Sequence, residues 1–170
     1  MRVSIGQDSH RFDFEDKVKP CVLGGVIFPG TPALSANSDG DVVLHAITNA
    51  ISGITCRNIL GAPADELCRA GITDSHAYLS LALADLAALH CRIEHLSLSL
   101  ECRQPMISPR IADMRAHLGS CLQLAPGRIG ITATTGEGLT DCGRGLGISV
   151  LCILTVSQEA AYEEEGVCQD

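Results

Sequence analysis

The chain has 170 residues, a length typical of one domain, and its 46% hydrophobic and 19% charged residues exclude an intrinsically disordered chain. A net charge of −8 argues against broad binding to nucleic acid or to anionic membranes, since both need a basic surface. The nine cysteines form no C-x-x-C pair and the first residues show no signal-peptide pattern, so we expect a soluble cytoplasmic protein with reduced thiols.

The first third of the chain predicts a strand, a hairpin and a helix. Alternating apolar and polar residues predict a strand over 2–9. Apolar runs on either side of Gly24 and Gly25 predict a β-hairpin over 21–28. Ser38 and Asp41 fit the N-cap and third helical position of a capping box, so we expect a helix to begin at Ser38.

The rest of the chain predicts further helices and strands around one irregular segment. Residues 55–74 carry glycines and a proline without a long period, which favours a loop or a mobile segment. Helices are predicted over 75–91 and 109–122, and strands over 93–101, 128–134 and 148–156. This order favours an α+β fold, a mixed β-sheet with helices packed on one face, over residues 1–157, followed by a frayed acidic tail over 158–170.

Asp8, His10 and His45 are candidate metal ligands. Asp8 and His10 lie two residues apart in a predicted strand, so their side chains point to the same face. His45 lies four residues after Asp41 on the predicted helix. A carboxylate and two imidazoles with one open position are typical of a catalytic zinc site. On local spacing alone, a solvent-facing histidine and an acidic helix cap at Asp41 are the simpler interpretation.

A glycine-rich loop between the last two predicted strands is a candidate phosphate site. Glycine lets backbone N–H groups approach a phosphate closely, and Thr134 and Thr135 add hydroxyl donors. Glu137 offers a hard oxygen for Mg²⁺, and Arg144 can bind a phosphate through two N–H groups. A glycine-rich turn with a surface acid and a surface arginine explains the loop about equally well when it is considered alone.

The remaining histidines lie in helix or strand patterns without obvious partners. We interpret them as structural or surface residues: His76, His90, His95 and His117.

Taken together, these segments resemble one family. They are G-Q-D-S-H from Gly6, N-S-D-G-D-V-x-L-H-A from Asn37, A-T-T-G-E from Ala133 and G-R-G-x-G from Gly143. The chain is similar over residues 1–157 to the 2-C-methyl-D-erythritol 2,4-cyclodiphosphate synthases of non-mevalonate isoprenoid biosynthesis.

The resemblance implies a homotrimer with active sites between adjacent subunits. It implies a phosphorus–oxygen lyase that converts 4-diphosphocytidyl-2-C-methyl-D-erythritol 2-phosphate to the cyclic diphosphate and releases CMP. It also implies zinc at Asp8, His10 and His45, magnesium or manganese at Glu137, and catalytic roles for Asn37 and Thr135. The implied substrate contacts are Asp8, His10, Asn37, Ser38, Asp65, Thr134, Thr135, Glu137, Asp141 and Arg144.

The chain departs from the family pattern around the substrate rather than at the metals. Asn37 stands where the family usually has His, and Asp141 where it usually has Phe. Since every implied metal ligand is present, we expect a divergent active enzyme. Two alternatives stay open: a zinc-dependent phosphoesterase with Asp39 or Asp65 as general base, and a non-catalytic trimer that binds metal and nucleotide.

Overall fold

The computed structural model describes residues 1–16 and 18–158. The strands are β1 (Arg2–Asp13), β2 (Val22–Leu23), β3 (Val26–Ile27), β4 (Ala33–Leu34), β5 (Cys91–Glu101), β6 (Ile129–Thr134) and β7 (Gly147–Gln158). The α-helices are α1 (Val42–Thr55), α2 (Ala62–Arg69), α3 (Ser75–Ala88) and α4 (Ile111–Leu122). The predicted acidic tail over 158–170 falls outside the described residues except for Gln158, which ends β7 and is not part of a frayed tail.

A mixed sheet of five strands organises the fold. Its order is β4-β1-β7-β5-β6, with β5 and β6 parallel and the other neighbours antiparallel. The helices α1, α3 and α4 pack against β1, β5 and β6 respectively. Side chains of β7 alternate accordingly, with Cys152 and Leu154 buried beneath helices while Leu151 and Ile153 remain accessible. The predicted α+β architecture is therefore confirmed.

The predicted helix start at Ser38 is wrong, because α1 begins at Val42 with Asp41 as its N-cap. Gly40 has a φ of 79°, which interrupts any helix between Ser38 and Asp41. The Ser38 hydroxyl instead accepts a hydrogen bond from the Gly40 amide, and the Asp39 carboxylate accepts one from the Asp41 amide. These local turns compete with the helix that the capping-box pattern suggested.

The prediction of a loop over 55–74 is also wrong, since α2 occupies Ala62–Arg69. A proline in the first turn does not disrupt a helix, and Ala64, Leu67 and Cys68 pack against the core. The predicted third helix starts at Ile111 instead of residue 109, after a short 3₁₀ turn over Ser108–Arg110.

Two further boundaries differ from the sequence patterns. Helix α3 ends at Ala88, three residues early, because His90 adopts a left-handed φ of 51° before β5 begins. Strand β1 continues to Asp13, where its end pairs with the unpredicted strand β4. Along the described chain, no helix has both the length and the apolar character that crossing a membrane requires.

Candidate metal centre and substrate cleft

A glycine in β1 brings the two ligand-bearing elements together. A Cβ atom at Gly6 would lie 2.1 Å from the Ala46 carbonyl oxygen and 2.3 Å from the Ala50 amide nitrogen, so the backbones of β1 and α1 are in direct contact. Asp8 and His10 follow at two-residue intervals and face the same helix as Gly6. His45 of α1 therefore comes within reach of both.

The three predicted zinc ligands meet in one cluster. Asp8 Oδ2 lies 3.0 Å from His10 Nε2 and 2.9 Å from His45 Nδ1, and the two imidazole nitrogens are 3.1 Å apart. Asp8 and His10 remain partly accessible, whereas His45 is buried. The cluster can hold a metal ion, as the sequence predicted, and one side stays open to the solvent.

The ionised Asp8 makes the cluster attractive to a cation. Burial works against ionisation of Asp8, but hydrogen bonds with His10 and His45 outweigh it and hold the pKa of this carboxyl well below its usual value. Asp8 is thus a carboxylate across the physiological range and available as a ligand.

A hydroxyl and a second carboxylate orient His45 from behind. Ser75 Oγ lies 2.9 Å from His45 Nε2 and also contacts Asp39 Oδ1. A carboxylate can only accept, so the hydroxyl donates to Asp39 and accepts from the Nε2–H of His45. That tautomer leaves the lone pair of His45 on Nδ1, which faces Asp8. This nitrogen and Asp8 Oδ2 lie 2.9 Å apart, so either a proton, which makes the hydrogen bond to Asp8, or a metal ion must lie between them. A metal ion there would have the ligand and the supporting shell that such a site requires.

The contacts behind His45 also give Asp39 and Ser38 a structural role. Asp39 accepts from both the amide and the hydroxyl of Ser75, so it is engaged in fixing α3 against the loop before α1. Ser38 is buried, and its hydroxyl lies 3.3 Å from His45 Nε2. Neither Ser75 nor its link to Asp39 was foreseen, because the two residues lie 36 positions apart and form no local motif.

Asp41 is a structural acid and not a metal ligand. Its Oδ1 accepts from the amides of Gly24, Val43 and Leu44 at 2.8, 3.1 and 3.1 Å, and its Oδ2 accepts from the Gly25 amide at 2.7 Å. The cap interpretation of Asp41 is confirmed. The same side chain fastens the β2–β3 turn to the start of α1.

An open cleft of about 730 Å³ lies beside the cluster. That volume falls within the range of ordinary small-molecule sites, roughly 300–1,000 Å³. Three predicted site residues besides the ligand cluster border it, namely Asn37, Ser38 and Asp65. Lys19 borders it too, and its ammonium donates to the carbonyls of Leu34, Ala36 and Ser38, which shapes the wall that carries Asn37.

The glycine-rich loop lies elsewhere in the single chain. Asp8 pairs with Val150 of β7, Val150 with Leu100 of β5, and Leu100 with Ala133 of β6. Three strand spacings of about 4.8 Å separate the loop after β6 from β1 by roughly 14 Å. Accordingly Thr134, Thr135, Glu137 and Arg144 do not border the cleft, and Asp141 borders only a small neighbouring pocket with His10.

The loop is nevertheless well defined. Gly136, Glu137 and Gly138 have φ values of 59°, 51° and 72°, so the chain turns sharply and presents the Glu137 side chain to solvent. Arg144 forms an ion pair with Asp141 at 2.8 Å, and the hydrogen bond from Arg144 lowers the pKa of Asp141. Both side chains are exposed, so a phosphate can compete for the guanidinium.

Comparison with known proteins places this arrangement in a family. The profile of the YgbB family matches residues 1–157. The chain belongs to the YgbB family. A YgbB relative from Chlamydia muridarum, named 2-C-methyl-D-erythritol 2,4-cyclodiphosphate synthase, is 51% identical over 158 residues, covering 92% of this chain and 88% of the relative.

Two solved structures of 2C-methyl-D-erythritol-2,4-cyclodiphosphate synthase share the YgbB fold seen here. Each superposes with a TM-score of 0.81 and covers 92% of this chain and 100% of its own, at 27% and 25% identity. The second is a form bound to CDP. The family resemblance inferred from the sequence motifs is therefore confirmed.

Proposed function

We propose that this chain converts 4-diphosphocytidyl-2-C-methyl-D-erythritol 2-phosphate to 2-C-methyl-D-erythritol 2,4-cyclodiphosphate and releases CMP. The observation that carries the proposal is the cluster of Asp8, His10 and His45 at an open cleft, in a chain whose relatives bear the name of this synthase. In the reaction, a 2-phosphate oxygen forms a bond to the β-phosphorus while the bond from that phosphorus to the α-phosphate oxygen breaks, so no protein nucleophile is required.

The residues present fit the two metal ions that this function implies. Asp8, His10 and His45 would hold Zn²⁺ or another divalent transition metal, because their oxygen and nitrogen atoms converge and Ser75 fixes the tautomer of His45. Glu137 would hold Mg²⁺ or Mn²⁺ through its exposed carboxylate. When bound, the two cations neutralise phosphate charge as it redistributes during the transfer.

The chain's own side chains would position the substrate. Asn37, Ser38 and Asp65 border the cleft and would contact the methylerythritol phosphate. Thr134, Thr135 and Arg144 offer donors to the diphosphate, and Asp141 lies beside Arg144. Asn37 and Thr135 would donate hydrogen bonds to the reacting phosphates. Such positioning supplies most of the catalysis in phosphoryl transfer.

We further propose that the chain works as a homotrimer, because one chain holds the two halves of the site apart. An apolar strip consisting of Val3, Ile5, Leu151 and Ile153 lies exposed on β1 and β7, on the sheet face opposite α1. Ile5 and Ile153 are direct cross-strand partners, with 62% and 42% of their surfaces accessible. Burying this strip between subunits would bring Glu137 of one subunit to the cleft of its neighbour.

The reaction itself provides the test of function. Purified protein with Zn²⁺, Mg²⁺ and the diphosphocytidyl substrate should release CMP and cyclic diphosphate in equal amounts. His45→Ala should lose one equivalent of zinc and the turnover, while the matched variant His90→Asn, at an exposed left-handed residue before β5 that Asn can also occupy, should keep both. A linear phosphate product would indicate a phosphoesterase, and binding of zinc and CMP without CMP release would indicate a non-catalytic binder. Either result overturns the proposal.

Assembly has its own test. Ile5→Asp should shift the species measured by analytical ultracentrifugation from trimer to monomer and abolish turnover, yet leave zinc bound at the β1–α1 cluster. The control Val18→Asp changes a 94% exposed apolar residue outside the strip and should remain trimeric and active. A fully active monomeric variant would refute the shared site.

A further inference from the structure

A second group of metal-ligating side chains lies on the helical side of the fold. His76, in the first turn of α3, and His117 and Cys121, on one face of α4, each offer one ligand atom within 4.8 Å of the others. His76 Nε2 lies 2.7 Å from His117 Nε2, which lies 3.4 Å from Cys121 Sγ. The sequence patterns missed this group, because His76 is 41 positions from His117.

We propose that His76, His117 and Cys121 form a second transition-metal site, of the class that takes Zn²⁺. Two imidazoles and a thiolate are a borderline-to-soft donor set, which suits Zn²⁺ and excludes Mg²⁺ and Ca²⁺ as natural occupants. The H-x-x-x-C spacing places His117 and Cys121 one helical turn apart on the same face. All three side chains are partly buried, so the fourth position is open to water.

The surroundings preorganise both imidazoles. Asp74 Oδ1 lies 2.9 Å from His76 Nδ1, so the carboxylate accepts a hydrogen bond from Nδ1–H and the Nε2 lone pair faces the cluster. His117 packs directly against the β2–β3 turn, where a Cβ at Gly25 would lie 2.1 Å from Nε2. Gly25 has a φ of 75°, so the turn leaves room for the ring. A carboxylate behind His76 is typical of a metal site's supporting shell, and the bare Gly25 leaves room at the ligating edge of His117.

The distances are close to those that zinc requires. Tetrahedral Zn²⁺ with nitrogen ligands at about 2.05 Å and sulfur at about 2.3 Å separates two nitrogens by roughly 3.3 Å and a nitrogen from the sulfur by roughly 3.5 Å. The nitrogen–sulfur distance of 3.4 Å already fits, and the nitrogen pair must open by about 0.6 Å from 2.7 Å. A rotation of the half-exposed His76 ring provides that opening. The competing explanation is a hydrogen bond from the Nε2–H of His117 to His76.

Cobalt distinguishes the two explanations, because Cys121 gives this site a thiolate that the Asp8 cluster lacks. Titration of metal-free full-length protein with Co²⁺ should produce a near-ultraviolet thiolate-to-cobalt charge-transfer band. Cys121→Ser should abolish the band and remove one equivalent of bound Co²⁺ per chain. His45→Ala, which disrupts the Asp8 cluster, should leave the band unchanged, and so should Cys68→Ser, which changes a half-buried thiol at the cleft.

A second variant keeps the test decisive. His76→Gln at a half-exposed position should lower Co²⁺ affinity at this site by at least about tenfold, and Asp74→Asn, which can still cap α3, by about 10- to 100-fold. The second site is refuted if the wild-type protein shows no band or if the band persists in Cys121→Ser. It is also refuted if His76→Gln binds Co²⁺ with unchanged affinity. The cyclisation proposal does not depend on it, so loss of the band with retained CMP release would refute only this inference.

Discussion

We expect Asp41→Ala to lower the free energy of unfolding by more than a substitution on the surface does. The variant removes a helix cap, which costs about 1 kcal/mol. It also leaves the buried amide of Gly24 and the partly buried amide of Gly25 without their acceptor, at roughly 1–3 kcal/mol each. The expected loss of unfolding free energy is therefore about 3–7 kcal/mol, which corresponds to a melting temperature at least about 6 °C lower for a chain of this size.

Equilibrium urea unfolding and thermal melting would measure this loss. The matched control is Asp113→Ala, which removes an exposed acid whose ion pair with Arg110 spans 2.8 Å and whose contribution is about 0–1 kcal/mol. Asp41→Ala should still bind zinc where it is folded, since Asp41 is not a ligand. A destabilisation within about 1 kcal/mol of the control would refute the role assigned to this side chain.

The same residue predicts a pH dependence. Burial raises the pKa of Asp41 from 3.8 to about 6, against the opposing effect of its backbone donors. Between those values the folded protein holds a proton that the unfolded chain has released, so this group lowers stability as pH rises. Asp41→Asn cannot titrate, and its stability relative to wild type should therefore improve from about pH 4 to about pH 6. Parallel stability profiles for the two proteins would contradict the raised pKa.

Three further substitutions test separate parts of the site. Gly6→Ala places a Cβ 2.1 Å from a backbone oxygen of α1 and should lower both the melting temperature and the zinc affinity. The control Gly127→Ala places its Cβ in open space and should change neither. Equal melting curves for the two variants would refute the close contact between β1 and α1. Ser75→Ala should weaken zinc binding by about 10- to 100-fold in a competition titration, through loss of the contact to His45, and an unchanged affinity would exclude that orienting role. Glu137→Gln should still bind zinc but should need a far higher Mg²⁺ concentration for turnover than the control Glu15→Gln does. Identical Mg²⁺ dependence of turnover in the two variants would contradict the role of Glu137 as a magnesium ligand.

Local patterns predicted those parts of the protein that depend on near neighbours in the chain. The alternation in β1 indicated that Asp8 and His10 share a face, and the structure confirms it. The hairpin at Gly24 and Gly25 was predicted because a two-residue turn between apolar runs has few other solutions. Helix α1 was predicted in substance, but its start was placed too early because the left-handed Gly40 cannot be recognised from residue type alone.

Contacts between distant segments account for what the sequence did not reveal. Ser75 orients His45 only because α3 packs beside α1, and nothing near Ser75 in the chain indicates that contact. Helix α2 spans only eight residues, with Pro63 in its first turn and glycines on both sides, so its short pattern was not recognised; packing of Leu67 against the core stabilises it. The grouping of His76 with His117 likewise exists only once α3 and α4 lie side by side.

The contact between Gly6 and α1 has a consequence for how this protein can diverge. The spacing of the metal ligands is set by two main chains touching each other, and not by the side chains that fill the space around them. Aliphatic residues elsewhere in the interior can therefore be exchanged without moving His45 relative to Asp8. The chain can therefore change at many positions and keep the spacing of these three side chains, provided that position 6 carries no side chain.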